Sequence, residues 1–213
     1  GHVTGVQTCA LPIFDGVNGG VLRHVTVTGA TERGSAGVLV ANSTGVTIAD
    51  SRVVQNHTYG IHTWNSTNVT IRANEVAYND AGIVLEMVSD GGQILNNRIH
   101  DHTHMVDPAD PDQGGAIGVG FLKTTGPVSA WGNTLWKNRA PLSNGGFDGS
   151  NFEVFGASDL TITRNTMWDA EHQMETGTDG PPCNNLVFTQ NVAYAASTQP
   201  GWAGGLLIAC GSG

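Results

Sequence analysis

The chain has 213 residues, of which 39% are hydrophobic and only 13% charged, and its formal net charge is −9. The length is sufficient for one domain with a sizeable core. The acidic balance excludes a nucleic-acid-binding surface, because no basic stripe is available to neutralise phosphates, and no apolar run reaches the length of a membrane span.

The first residues differ from the rest of the chain. Residues 5–13, GVQTCALPI, resemble a translated sequencing-adapter read and fit no repeat downstream. We therefore interpret residues 1–14 as an artefact or an unstructured segment, and we predict a single domain over residues 15–213 that is incomplete at both ends. Setting Cys9 aside leaves Cys183 and Cys210, which form either a disulfide or two unrelated thiols.

A repeat of about two dozen residues runs from residue 45 onward. Six segments align, including GVTIADSRVVQN from Gly45 and NVTIRANEVAYN from Asn68, and their apolar anchors are Ile48, Ile71, Ile94, Ala130, Ile162 and Phe188. Successive anchors are 23, 23, 36, 32 and 26 residues apart, so some repeats carry insertions. Three residues after each anchor stands Ser51, Asn74, Asn97, Asn133, Asn165 or Asn191. Amides at one fixed turn position can hydrogen-bond to their copies above and below, which predicts an internal ladder.

Each repeat also contains a second strand-like run, such as YGIHTW at 59–64 and AGIVLE at 81–86. Period-two alternation divides these runs into inward and outward residues. One inward column is Val38, Ile61, Ile83, Ile117, Phe152, Met174 and Leu206, and the next is Val40, Thr63, Leu85, Val119, Val154, Thr176 and Ile208. Almost all are apolar, as stacked rungs around one core require.

The pattern in NVTIRANEVAYNDAGIVL resembles the right-handed parallel β-helix family, the pectin-lyase-like fold, over about residues 20–210. The resemblance implies an all-β solenoid of about seven rungs and a secreted or cell-surface location. The family includes polysaccharide lyases, glycoside hydrolases, epimerases, tailspikes and adhesins. It also implies that a glycan lies along the groove beside one sheet, and the runs described above resemble the strands of that sheet.

The outward columns supply the candidate catalytic residues. The first reads Leu39, His62, Val84, Gly118, Glu153, Glu175 and Leu207, and the second reads Ala41, Trp64, Glu86, Gly120, Phe155, Gly177 and Ala209. Glu153 and Glu175 fall on neighbouring rungs, about 4.8 Å apart, where two carboxylates repel unless a shared proton, Ca²⁺ or an arginine compensates. A spacing of about 5 Å suits the acid and nucleophile of a retaining glycosidase. The alternative is two solvated surface glutamates.

The same columns supply candidate substrate-binding residues. Trp64 beside Glu86 could stack on a sugar ring, His62 could supply an acid–base group, and Phe155 shares their face. We expect Gly118 and Gly120 to leave a depression between Glu86 and the glutamate pair.

Two other segments are weaker candidates. The insertion at 101–113, with His102 and His104 among four aspartates, either binds a metal or forms an acidic loop. The aromatic stripe of His100, Trp136, Trp168 and Tyr194 is more typical of packing than of glycan binding.

These residues predict a monomeric carbohydrate-active protein that hydrolyses a polysaccharide or oligosaccharide with the Glu153–Glu175 pair, with Ca²⁺ as the one candidate cofactor. One alternative is a Ca²⁺-dependent polysaccharide lyase in which the same glutamates bind the metal. The absence of Lys and Arg from the outward columns counts against it, although Lys123, Arg139 and Arg164 in loops or adjoining strands could reach the groove. The other alternative is a non-catalytic glycan-binding or structural β-helix.

Overall fold

The computed structural model describes residues 2–3, 12–104, 116–142, 146–177, 183–194 and 205–208. Within these residues the chain forms strands and turns and contains no helix. The strands in chain order are β1 (His2–Val3), β2 (Ile13–Asp15), β3 (Asn18–Arg23), β4 (Thr26–Val27), β5 (Ala36–Ala41), β6 (Thr44–Ala49), β7 (Arg52–Val54), β8 (Tyr59–Trp64), β9 (Thr70–Arg72), β10 (Glu75–Ala77), β11 (Ala81–Glu86), β12 (Gln93–Leu95), β13 (Arg98–His100), β14 (Ala116–Leu122), β15 (Val128–Trp131), β16 (Thr134–Trp136), β17 (Ala140–Pro141), β18 (Phe147–Phe155), β19 (Ser158–Thr163), β20 (Thr166–Trp168), β21 (His172–Thr176), β22 (Asn184–Thr189), β23 (Val192–Tyr194) and β24 (Leu206–Ile208).

The strands build three parallel sheets that the chain visits in rotation. Sheet 1 has the order β1-β3-β6-β9-β12-β15-β19-β22, sheet 2 the order β4-β7-β10-β13-β16-β20-β23, and sheet 3 the order β2-β5-β8-β11-β14-β18-β21-β24. Among the described strands, β17 is the one that pairs antiparallel, with β18. From β3 to β24 the chain completes seven rungs, so the predicted all-β class and parallel β-helix of about seven rungs are confirmed. Strand β2 crosses the predicted domain boundary at residue 15, and that boundary stays a prediction.

The anchors of the repeat stack as predicted on sheet 1. Ile48 pairs in register with Ile71, and the register continues through Ile94 and Ala130 to the last anchor. The anchors from Ile48 to Ile162 are fully buried and join the inward residues of sheets 2 and 3 in one core. Burial of these apolar side chains is the main force that holds neighbouring rungs together.

The asparagine ladder is also confirmed. The backbone N–H and Nδ2 of Asn74 donate to Asn97 Oδ1 at 2.9 and 3.1 Å, and the same pair of bonds joins Asn97 to Asn133 at 2.9 and 3.0 Å. Each amide of this internal stack is therefore satisfied by its copy on the next rung, as a buried polar group must be.

A second internal ladder was not predicted. Asn56 donates its backbone N–H to Asn79 Oδ1 at 2.9 Å, and Asn79 donates its own to His102 Nδ1 at 3.1 Å. The next member, Asn138, accepts from the His102 backbone at 3.5 Å. His102 is fully buried here, which makes it a structural residue of the ladder; residues 105–113 of the predicted metal-binding insertion lie outside the described residues.

The predicted aromatic stripe forms on sheet 2 as a stack of rings. The ring centroids of His100 and Trp136 are 4.0 Å apart, those of Trp136 and Trp168 5.1 Å, and those of Trp168 and Tyr194 5.6 Å. Because the rings lie face to face within 10° of parallel, their faces are occupied by each other. The stripe therefore contributes to packing between rungs.

One predicted register is wrong. Val84 of β11 pairs with Gly120 of β14, whereas the sequence analysis placed Gly118 in that column. The inward residues of β14 are accordingly Val119 and Phe121, each fully buried, and the predicted positions of Ile117 and Val119 shift by two. A strand shifted by two residues presents the same faces, so alternation alone does not fix its register. In the part of the chain that the structure describes, no helix is long and apolar enough to cross a membrane.

Candidate active site

The outward face of sheet 3 carries all the predicted site residues in three columns. The column at the strand starts contains Ala36, Tyr59, Ala81, Ile117, Ser150 and His172; the middle column contains Leu39, His62, Val84, Gly120, Glu153, Glu175 and Leu207; and the last contains Ala41, Trp64, Glu86, Leu122 and Phe155. Because neighbouring strands of a sheet are about 4.8 Å apart, residues in a column are contact neighbours along the solenoid axis.

Glu153 and Glu175 are direct register partners on β18 and β21. Their surroundings differ, because Glu153 is only 6% exposed whereas the Glu175 side chain is 23% exposed. On the other side of Glu153 the register partner is Gly120, which has no side chain to approach the carboxyl. The backbone thus brings the two predicted catalytic groups together and gives each a different environment.

Burial raises the pKa of the Glu153 carboxyl well above its ordinary value, and the charges of Glu175 and then Asp148 raise it further. All three causes favour the protonated form, since burial penalises the charge and both neighbours are carboxylates. Glu153 is therefore a neutral carboxylic acid at a pH where an ordinary glutamate is ionised, and it can donate a proton.

Glu175 lies next to two side chains from the strand-start column, of which Ser150 forms a hydrogen bond with it. Ser150 Oγ donates a hydrogen bond to Glu175 Oε2 at 2.8 Å, and Nδ1 of the buried His172 lies 3.5 Å from the same oxygen. A donor on one oxygen orients the carboxylate and leaves Oε1 free to point elsewhere. The arrangement is that of an oriented carboxylate next to a protonated acid.

A second cluster forms around His62, at the N-terminal end of the same face. His62 Nε2 lies 3.1 Å from Glu86 Oε2, and because a carboxylate only accepts hydrogen bonds, this ring nitrogen carries the proton. The Tyr59 ring packs on the imidazole with 4.5 Å between centroids. Burial lowers the His62 pKa more than the hydrogen bond and charge of Glu86 raise it, so the imidazole is neutral at neutral pH.

Trp64 and Phe155 have different settings within the last column. Trp64 is the register partner of Glu86 and is 38% exposed, so its indole is accessible beside the His62–Glu86 pair. The Phe155 ring occupies the space that a Cβ on Gly177 would need, which places it over the strand that carries Glu175. Trp64 therefore belongs to the cluster around His62, and Phe155 to the glutamate pair.

The structure thus divides the predicted site into two groups on one face. Val84 and Gly120 separate His62 from Glu153 in the middle column, so the two groups lie three strand spacings apart, roughly 14 Å. The predicted depression is narrower than expected, because Gly120 alone faces outward. A Cβ on Gly118 would instead meet Asn138, Leu135 and the Asn151 backbone.

Ser150, His172 and Tyr59 were not predicted. Ser150 and His172 stand three residues before Glu153 and Glu175, and Tyr59 three before His62, so each pair repeats one spacing on its rung. Strict period-two alternation assigns residues three apart to opposite faces of a strand, so it does not predict these contacts.

No metal centre is formed by the residues that the structure describes, since no group of three or more His, Cys, Asp or Glu side chains is arranged to hold an ion there. The two histidines of the predicted insertion have different partners, since His102 belongs to the second ladder and His104 Nδ1 lies 3.8 Å from Asp80 Oδ1. Calcium binding by Glu153 and Glu175 stays a prediction. Of the cysteine pair, Cys183 is partly buried and Cys210 lies outside the described residues, so the pairing of these two cysteines stays a prediction.

The comparison with protein families supports the architecture. A family model described as a right-handed β-helix region matches residues 2–140 and 37–213. No curated protein matches the chain significantly. A solved structure of a candidate glycosyl hydrolase from Parabacteroides merdae ATCC 43184 is 12% identical over 84% of each chain, with a TM-score of 0.48. The A-module of mannuronan C-5 epimerase AlgE4 from Azotobacter vinelandii is also 12% identical, over 100% of this chain and 89% of that one, with a TM-score of 0.29.

Proposed function

The chain belongs to the right-handed β-helix family, and we propose that it is an extracellular carbohydrate-active enzyme that hydrolyses a glycosidic bond with Glu153 and Glu175. The observation that carries the proposal is the register pairing of these two glutamates in unlike environments. Two carboxyl groups whose pKa values are pushed apart by their surroundings are the acid and base pair of most glycosidases.

The environments assign the roles. Glu153, neutral because of its burial and its acidic neighbours, protonates the glycosidic oxygen. Glu175, oriented by Ser150, attacks the anomeric carbon through its carboxylate and forms a glycosyl ester as the leaving sugar departs. The ionised Glu153 then takes a proton from water, whose oxygen displaces Glu175 and restores both side chains.

The spacing favours this two-step route. A direct attack by water requires carboxyl groups about 6.5–9.5 Å apart, whereas the covalent route requires about 5–5.5 Å. Register partners on adjacent strands lie about 4.8 Å apart at the backbone. We therefore expect hydrolysis with retention of anomeric configuration.

Further sugar units of the substrate extend along sheet 3. Phe155 offers an apolar surface next to the glutamate pair. Trp64 offers an accessible indole for stacking on a sugar ring, and His62 and Glu86 beside it offer polar groups to hydroxyls. These four residues are the substrate-binding residues of the proposal.

The experiment is digestion of a panel of polysaccharides, with and without Ca²⁺, in which both new reducing ends and unsaturated uronates are measured. Reducing ends without unsaturated products support hydrolysis. Calcium-dependent unsaturated products would replace the proposal with elimination and make Glu153 and Glu175 metal ligands. Absence of any product, together with measurable glycan binding, would identify a non-catalytic binding protein.

A further inference from the structure

The nine Lys and Arg residues of the chain are distributed unevenly around the solenoid. All nine lie within the described residues, so their distribution is complete. They are Arg23, Arg33, Arg52, Arg72, Arg98, Lys123, Lys137, Arg139 and Arg164. Not one lies in a strand of sheet 3, the sheet that carries the glutamate pair.

Three cations, Arg33, Lys123 and Arg139, lie outside the sheet 3 strands but near them in sequence, and Arg33 precedes β5 by three residues. Arg139, just before β17, forms an ion pair with Asp169 at 3.0 Å, and its guanidinium lies 4.5 Å from the Phe147 ring centroid. Lys123 follows the last residue of β14. Its backbone has a φ of 51°, which places it in the turn that leaves the sheet.

Sheet 3 itself is rich in carboxyl groups. Glu86, Asp148, Glu153 and Glu175 lie on its central strands. The charges of Glu175 and Asp148 both act on Glu153, so the three groups are close enough to interact. Any ligand lying along the outward columns therefore meets negative charge at both clusters and no lysine or arginine on any strand between them.

We infer that the substrate of this site is a glycan without carboxylate or sulfate groups. The inference rests on the proposed function and narrows its substrate class. A binding site for a polyuronate requires cations that compensate for the desolvation of the sugar carboxylates. Apart from histidines, the charged side chains on the sheet 3 strands are all carboxylates. At about 6 Å and an effective dielectric of about 40, each sugar carboxylate that faces one of them loses roughly tenfold in affinity.

The experiment compares glycans that differ only in charge. Polygalacturonate and its carboxyl-reduced product have the same backbone and linkage, and other uronate polymers can be reduced in the same way. Binding of each pair is measured by isothermal titration calorimetry at low and high salt, alongside reducing-end release. We expect the reduced form to bind at least tenfold more tightly in at least one pair, with a gap that narrows at high salt as the charges are screened.

A matched pair of variants tests whether the charge of this face causes the preference for neutral glycans. Leu122 lies in the last column, in register between Glu86 and Phe155. L122K places a cation there, and L122Q places a neutral polar group of similar length. We expect L122K, relative to L122Q, to raise the acidic-to-neutral affinity ratio by about tenfold.

The outcomes separate the two proposals. Binding of neutral glycans without bond cleavage would overturn the hydrolase and keep the inference about charge. Equal or tighter binding of the uronate forms would overturn the inference, and hydrolysis of those forms would leave the hydrolase standing. Failure to bind any glycan would overturn both.

Discussion

His102 gives the solenoid an acid-sensitive point that can be removed by one substitution. Its ring is fully buried in the second ladder, where Nδ1 accepts from the Asn79 backbone N–H at 3.1 Å. Burial lowers the pKa of this imidazole to about 3. The H102N substitution replaces it with the side chain that Asn79 and Asn138 already provide on the adjoining rungs, and asparagine does not titrate.

Proton linkage gives the sign and the size of the pH effect of His102 on stability. A histidine whose folded pKa is depressed contributes stability that is present above its unfolded pKa of about 6.5 and is lost as pH falls below it, because only the unfolded chain takes up the proton. At pH 5 the folded ring is still neutral, so the loss is about 2 kcal/mol. Protonation of the folded ring near pH 3 limits the total to about 5 kcal/mol.

The assay is urea unfolding at several pH values between 7.5 and about 4.5, followed by circular dichroism. We expect the free energy of unfolding of H102N to fall by about 2 kcal/mol less than that of the wild type between pH 7.5 and pH 5. A constant offset from the smaller side chain does not affect this difference. The control is H24N, which removes an exposed histidine from a turn with a φ of 58° and should keep the wild-type pH dependence. Parallel wild-type and H102N profiles would refute the assignment of His102 as a neutral ladder residue.

Three further substitutions test other parts of the account. E153Q should be more stable than the wild type at neutral pH, by about 1.4 kcal/mol for each unit by which folding raises the Glu153 pKa. In urea unfolding this gain should vanish below the unfolded pKa of about 4.3, and a gain that persists at pH 3.5 would contradict the raised pKa. E175Q should reduce the rate of reducing-end release roughly a thousandfold with an unchanged Tm, and full activity in this variant would exclude Glu175 from the mechanism. S150A, which removes the hydrogen bond to Glu175, should reduce the same rate about tenfold. N97A should lower the free energy of unfolding in urea by roughly 2–4 kcal/mol because it interrupts the first ladder. The control Q93A, on the exposed face of β12, should lower it by less than about 0.5 kcal/mol. Equal losses in the two variants would contradict the structural role of the ladder.

The sequence was sufficient to predict the register of sheet 1 because each repeat there carries both an apolar anchor and a ladder amide at a fixed spacing. An apolar anchor such as Ile71 is followed three residues later by a ladder amide such as Asn74, and both must stack for either to be satisfied. A slip by two residues would bury the anchor column but would break every amide bond. Two independent constraints with different spacing leave one register.

Sheet 3 lacks a second signal of that kind at β14, and there the prediction was wrong by two residues. Alternation is the same for Gly118 and Gly120, and the insertion before the strand removes the spacing information. The glycine that precedes the inward residue on earlier rungs would have identified it, since Gly60 and Gly82 both lie against the second ladder, as Gly118 does.

The candidate site was predicted only in part, because alternation gives the face of a residue but not all of its neighbours. Glu153 and Glu175 share a column within one strand pair, so alternation was enough to bring them together. Ser150 and His172 lie next to Glu175 although each stands three residues before a glutamate, a spacing that strict alternation assigns to opposite faces of a strand. The burial of Glu153, which distinguishes an acid from a surface glutamate, depends on neighbours distant in sequence, and composition and spacing do not contain it.

The most direct test of the central claim uses a substrate that does not need an acid. Once the panel identifies a cleaved glycan, its natural linkage is compared with an aryl glycoside of the same sugar, whose leaving group departs without protonation. We expect E153Q to lose the natural substrate by at least a hundredfold but to keep most of the rate of the first-turnover burst of aryl release, followed by slow turnover because Glu153 is also the base that activates water. E175Q should lose both the natural substrate and the burst. An aryl burst that slows in E153Q as much as the natural reaction does, or aryl release by E175Q at the wild-type rate, would contradict the assignment of Glu153 as the acid and Glu175 as the nucleophile.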